Sequence, residues 1–144
     1  MTIDARVART VRAVRAKLRE LAAAEHQTAA NATQAAAATK TAEETQLAEL
    51  LDGASGVLCG VTSVHELDDL GDLVASQRAS CDAASGSYDA AQQISELSAA
   101  RLRARTRQLK TAERVVEIIR HERARRESKA DQLRNDDLST ARRR

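Results

Sequence analysis

Apolar and small residues keep one register across the second half of the chain. From Leu67 the series runs through Leu70, Val74, Cys81, Ala84, Tyr88 and Ala91, then Leu102, Leu109, Ala112, Val116 and Ile119. The steps are three, four or sums of these. A phase held that long predicts a long helix with a coiled-coil seam, not a globular helix with one broad apolar face. Gln77, Ser95, Ser98 and Arg105 share the register, and Ile94 and Leu97 fall just off it.

The first half carries a second stripe: Ile3, Val7, Val11, Val14, Leu18 and Leu21. Thr2 is placed to cap this helix and Asp4 to favour its first turn. From residue 22 to 42 the stripe thins into alanine and threonine. Alanine is the best helix former, but an alanine seam buries little area, so this part contributes weakly to stability at about 25 cal/mol per Å². Bulk returns at Leu47, Leu50 and Leu51.

Between the two patterns stands DGASGVLCGVTS, with Gly53, Gly56 and Gly60. Such a cluster reads as a break. Ser63 followed by Glu66 then forms a capping box ahead of Leu67. Two helices joined by a short link make an antiparallel hairpin. The expected fold is therefore all-α: a long antiparallel two-helix coiled-coil hairpin with a C-terminal helical overhang. It forms one unit over residues 1–144, with helix one near 3–51, the turn near 52–63 and helix two near 64–138. Gly71 and the Ser85-Gly86-Ser87 triplet are weak points in helix two. Each glycine costs about 1 kcal/mol against alanine. A fold-back centred near residue 58 sets residue 3 against residue 113, which leaves the rest of helix two, about 45 Å if helical, without a partner from helix one.

Composition supports helices over a compact core. Among 144 residues there is no Phe, Trp or Pro, one Tyr, and 31% are charged. A globular domain normally fills its centre with large aromatics, and Ala, Glu, Leu and Arg at this period point to coiled coil or long helix. Disorder is the competing reading, because charge is high and bulk is low. No apolar run reaches the roughly 18 residues of a membrane span. The Arg-rich N-terminus lacks the unbroken apolar stretch of a secretory signal. Cys59 in the turn and Cys81 in helix two lie too far apart to bridge, so both are expected as free thiols in a reducing compartment.

Charge is distributed unevenly. Residues 1–20 carry six basic and two acidic side chains, and residues 101–144 carry fifteen and seven. The stretch 21–100 has only Lys40 and Arg78 against twelve acids. Folding the hairpin would give a basic terminal end and an acidic hinge end.

No catalytic constellation stands out, so a non-enzymatic protein without metal, cofactor or small-molecule substrate is expected. His26, His65 and His121 are scattered and have no ligand spacing, which reads as solvent-facing histidine on charged helices. GASGVLCG has neither dinucleotide nor P-loop spacing. Asp68, Asp69 and Asp72 read as a charged helix start. The sharper feature is the Arg-rich segment with Arg101, Arg103, Arg105, Arg107, Arg120, Arg123, Arg125 and Arg126. It could contact phosphates, stand as a solvated face laced by pairs such as Glu122 with Arg126, or dock on a protein. Stacking aromatics for single strands are absent, which argues against nucleic acid.

Taken together, the chain resembles the flagellar and type III secretion export stalk proteins of the FliJ/YscO type. The match is carried by AERVVEIIRHERARRESKADQL, with Arg126, Glu127, Lys129 and Asp131 at the family's charged-tail positions. The basic N-terminal helix fits as well. The Ala/Thr-rich middle and the missing aromatics depart from the pattern. The resemblance implies a cytoplasmic protein, peripheral at the inner-membrane export apparatus, whose paired ends enter the centre of a hexameric export ATPase. It would promote assembly of that ring, couple it to an export-gate membrane protein and escort export chaperones. On that reading Arg6, Arg9, Arg12, Arg120, Arg123 and Arg126 contact the ring, and Leu47, Leu50, Leu70 and Leu73 contact the gate. The alternatives are a basic coiled-coil protein that binds nucleic acid and a self-associating structural spacer.

Overall fold

The computed structural model describes residues 5–57, 60 and 63–141, with side chains for 5–56, 60 and 63–135. Two helices account for almost all of it: α1 over Ala5–Val57 and α2 over Val64–Ala141. They pack against each other. Thr2, Ile3, Asp4 and Cys59 fall outside the described residues.

The start of α2 is fixed as the capping box requires. Ser63 Oγ accepts from the Glu66 backbone N–H at 3.3 Å, and Glu66 Oε2 accepts from the Ser63 N–H at 3.2 Å. Two donors that a helix N-terminus leaves orphaned are thereby satisfied. The break is shorter than its glycine content suggests. α1 runs through Gly53 and Gly56 to Val57, and of the cluster only Gly60 lies in a turn. No described glycine has a positive φ, so helix, not turn geometry, holds Gly53 and Gly56. Helix one therefore ends six residues later than expected.

The chain divides into two compact units. The first joins α1 through Ala23 to α2 from Arg101 onward, and the second comprises Ala24–Ala100. In the second unit, Thr33 Oγ1 lies 3.0 Å from the Ala91 carbonyl oxygen, His26 Nδ1 is 3.0 Å from Ser98 Oγ, and Gln77 Nε2 donates to Glu43 Oε2 at 2.7 Å. Partner numbers fall along α2 as they rise along α1. Residue 33 thus lies against 91, where a fold-back centred on residue 58 would set it against 83. In the first unit, Arg15 Nη1 donates to the Gln108 carbonyl at 2.9 Å, and Arg12 faces Glu113 at 4.0 Å.

On α2 the buried and half-buried side chains follow the expected register at Leu70, Val74, Gln77, Cys81, Ala84, Tyr88, Ala91, Ser95 and Ser98, then at Leu102, Leu109, Ala112, Val116 and Ile119; the exception is Arg105, which is exposed while Thr106 beside it is half-buried. Ile94 and Leu97 stay about 60% exposed, one step outside it. Leu67 is 44% exposed, so the series begins at Leu70.

α1 departs from expectation. Val7, Val14 and Leu21 are each 54% exposed, while Ala8, Ala22 and Ala29 are buried below 10%. The seam thus runs one position off the stripe at Val7, Val14 and Leu21, where alanine lines it, and coincides with the stripe at Leu18, which is half-buried. A hydroxyl as short as that of Thr33 reaching the opposing Ala91 carbonyl shows why: the two backbones approach closely there, and only small side chains fit between them. From His26 onward the buried series runs His26, Ala29, Thr33, Ala36, Lys40, Glu43, Leu47, Leu50 and Ala54, in alternating threes and fours. Across Leu18, Ala22 and His26 two fours adjoin, a stutter that locally unwinds a heptad pattern.

Candidate functional site

In the first unit, Ala8, Val116 and Ile119 continue the seam but do not close it. Together with Ala5 they floor a cleft of about 370 Å³ whose rim is Arg9, Arg120 and Arg123. Helix spacing explains the rim: Arg120 and Arg123 are three apart, and Arg120 follows the last half-buried residue, Ile119. Arg9 Nε donates back to the Ala5 carbonyl at 3.2 Å. Among the described residues no ion pair joins these three arginines to a carboxylate. Every described side chain from Arg120 to Asn135 is exposed.

Three of the six candidate arginines therefore meet around one apolar cleft. The others do not. Arg12 is committed to Glu113 across the seam. Arg6 and Arg126 are exposed and lie outside the cleft. The expected intrahelical pair of Glu122 with Arg126 is not formed among the described residues, and Glu113 pairs with Arg12. Val116 and Ile119, which make the floor, were legible only as seam.

The four candidate leucines belong to the second unit. Leu47, Leu50 and Leu70 are half-buried at seam spacing, and Leu73 is 54% exposed. Near them Leu51 and Leu67 are over 40% exposed and Val64 reaches 75%. Asp68, Asp69 and Asp72 are all exposed. Among the described residues no cluster of three His, Cys, Asp or Glu could hold a metal ion.

Polar groups inside the seam are paired. Ser98 Oγ lies 2.7 Å from the Ser95 carbonyl oxygen and 3.0 Å from His26 Nδ1, so both seam side chains are within hydrogen-bond reach of partners. His26 is thus a seam residue, not the solvent-facing one its sequence context suggests; His65 and His121 are exposed. Gln77 Nε2 bridges to the Glu43 carbonyl at 3.3 Å besides its carboxylate. Lys40 sits 5.3 Å from the Tyr88 ring centre, within cation–π range. Cys81 is free and buried. Burial, followed by the carboxylates of Glu43, Glu44 and Asp82, pushes its thiol above the ordinary value. It therefore stays protonated at neutral pH and packs as a small apolar residue.

No helix among the described residues is long and apolar enough to cross a membrane. No family model matches the chain, and no curated protein and no solved structure shows significant similarity to it.

Proposed function

We propose that the chain is a long antiparallel two-helix coiled-coil hairpin with a C-terminal helical overhang, and that it serves as the cytoplasmic stalk of a hexameric export ATPase. The observation that carries this reading is the cleft of Arg9, Arg120 and Arg123 over Ala8, Val116 and Ile119. An apolar floor inside a guanidinium rim suits an acidic surface that also offers aliphatic side chains. Arginine is the residue for such a contact, because its planar fork pairs with carboxylates in two places at once. The exposed continuation of α2 beyond Ile119 supplies further charge and reach. In the second unit Leu73, with Leu67 and Val64, is the exposed aliphatic set available to an export-gate protein; Leu47, Leu50 and Leu70 serve the seam first. Export chaperones would be further clients. The role requires no catalysis by this chain.

A second reading, nucleic-acid binding, is favoured by one observation. Arg120, Arg123, Arg125, Arg126, Lys129 and Arg134 are all exposed along one stretch. It predicts affinity that falls steeply with salt through counterion release, and a partner destroyed by nuclease.

A nuclease-treated pull-down of the tagged chain from its native cytosol and membranes separates these. The stalk reading predicts recovery of a hexameric ATPase together with an export-gate protein. Replacing Arg120, Arg123 and Arg126 with Glu is expected to remove the ATPase while circular dichroism shows helicity unchanged. ATPase recovery equal to wild type would overturn the assignment.

A further inference from the structure

We propose that the arginine-rimmed cleft also receives a second copy of this chain, through the acidic start of that copy's α2. The two surfaces are complementary in both charge and apolar character. In the sequence VHELDDLGDLVASQ, residues 64–77 carry four acids and no Lys or Arg. At 100° per residue, Val64, Leu67, Asp68, Gly71 and Asp72 share a face spanning roughly 140°. Val64 and Leu67 are exposed on it by 75% and 44%. Asp68 and Asp72 flank them one turn apart and are exposed too. Gly71 between them has nothing within 4 Å of where a Cβ would stand, so this face is open to an approaching surface.

The cleft answers each feature. Val116, Ile119 and Ala8 can take the two aliphatic side chains, and Arg9, Arg120 and Arg123 can take the two carboxylates. A carboxylate–guanidinium pair beside apolar contact is partly shielded from water, which strengthens it over a fully solvated pair. Each copy presents one cleft and one acidic helix start. The contact can therefore be met reciprocally within a pair of copies or serially along a row of them, and either raises the mass above the monomer. Two to three helical turns seated in one cleft cover less than a stable interface of about 1,200–2,000 Å², so the association is weak and salt-sensitive. An acidic partner that fills the cleft displaces the second copy. Self-docking rests on the cleft and the acidic start of α2 and does not depend on the stalk reading.

Sedimentation equilibrium of the full chain under reducing conditions tests this. Average mass is expected to rise with protein concentration at about 0.05 M salt and to return to the monomer at about 0.5 M. Arg9, Arg120 and Arg123 changed together to Glu should give a monomer. So should Asp68→Lys with Asp72→Lys. An equimolar mixture of the two variants should regain association, since each then offers what the other lost. Should the arginine-to-Glu variant lose helicity, the same three positions changed to Gln remove the charge without adding repulsion, and the monomer is again expected. A wild type that stays monomeric throughout, association that survives either variant, or a mixture that fails to associate would each overturn the proposal.

Discussion

Replacing Gly53, Gly56, Gly71 and Gly86 together with alanine is expected to stabilise the chain by about 2–4 kcal/mol. All four lie inside helices, none has a positive φ, and a Cβ built at any of them meets nothing within 4 Å. The cost of glycine there is purely that of ordering a backbone with too much freedom, with no steric benefit to offset it. Gly71 and Gly86 are well inside α2 and should return close to the full amount each. Gly53 and Gly56 sit in the last turns before Val57, where the helix end is held less firmly, and should return less. Urea unfolding followed by circular dichroism at 222 nm reads the change as a higher midpoint at unchanged slope. A quadruple variant no more stable than wild type would mean that these glycines are not helical in solution.

The opposite sign is expected in the seam. Ala29→Leu and Ala84→Leu should each destabilise by about 1–3 kcal/mol through overpacking. Ala29 and Ala84 are 8% and 7% exposed, and Thr33 touches the opposing backbone one turn beyond Ala29. Alanine and leucine have similar helix propensity, so the change isolates packing. Ala32→Leu and Ala83→Leu, at exposed neighbouring positions, are the controls and should stay near wild type. Equal responses at seam and surface positions in thermal melts would contradict an alanine-lined seam.

These two expectations mark where the sequence was legible and where it was not. α2 could be read because its register carries bulk: Leu70, Val74, Leu102, Leu109, Val116 and Ile119 announce the period, and Ala84 and Ser98 fall in between. α1 misleads because the bulk stands beside the seam. Val7, Val14 and Leu21 repeat every seven residues on an exposed line, while the contact is made by Ala8 and Ala22. Alanine is common on every face of this helix, so its presence marks none. The glycine cluster misleads for a related reason. Gly53 and Gly56 permit a turn without requiring one, and helix α1 simply passes through them. At the cleft, the arginines were visible as charge. Their gathering over Val116 and Ile119 was not, because it depends on where α1 begins opposite α2, and an alanine seam fixes that register poorly.

The proposed hairpin requires the two helices of one chain to pack in opposite directions. Nitroxide labels test that most directly, with Cys59 and Cys81 removed and cysteines placed at positions 12 and 113 in one sample and 43 and 77 in another. Helices pack about 8–10 Å apart, so double electron–electron resonance should report short separations, on the order of 20 Å or less, for both pairs. Those separations should persist when labelled chain is diluted into an excess of unlabelled chain. Long distances in either sample, or short ones that vanish on dilution, would show that each helix finds its partner elsewhere and would contradict the account.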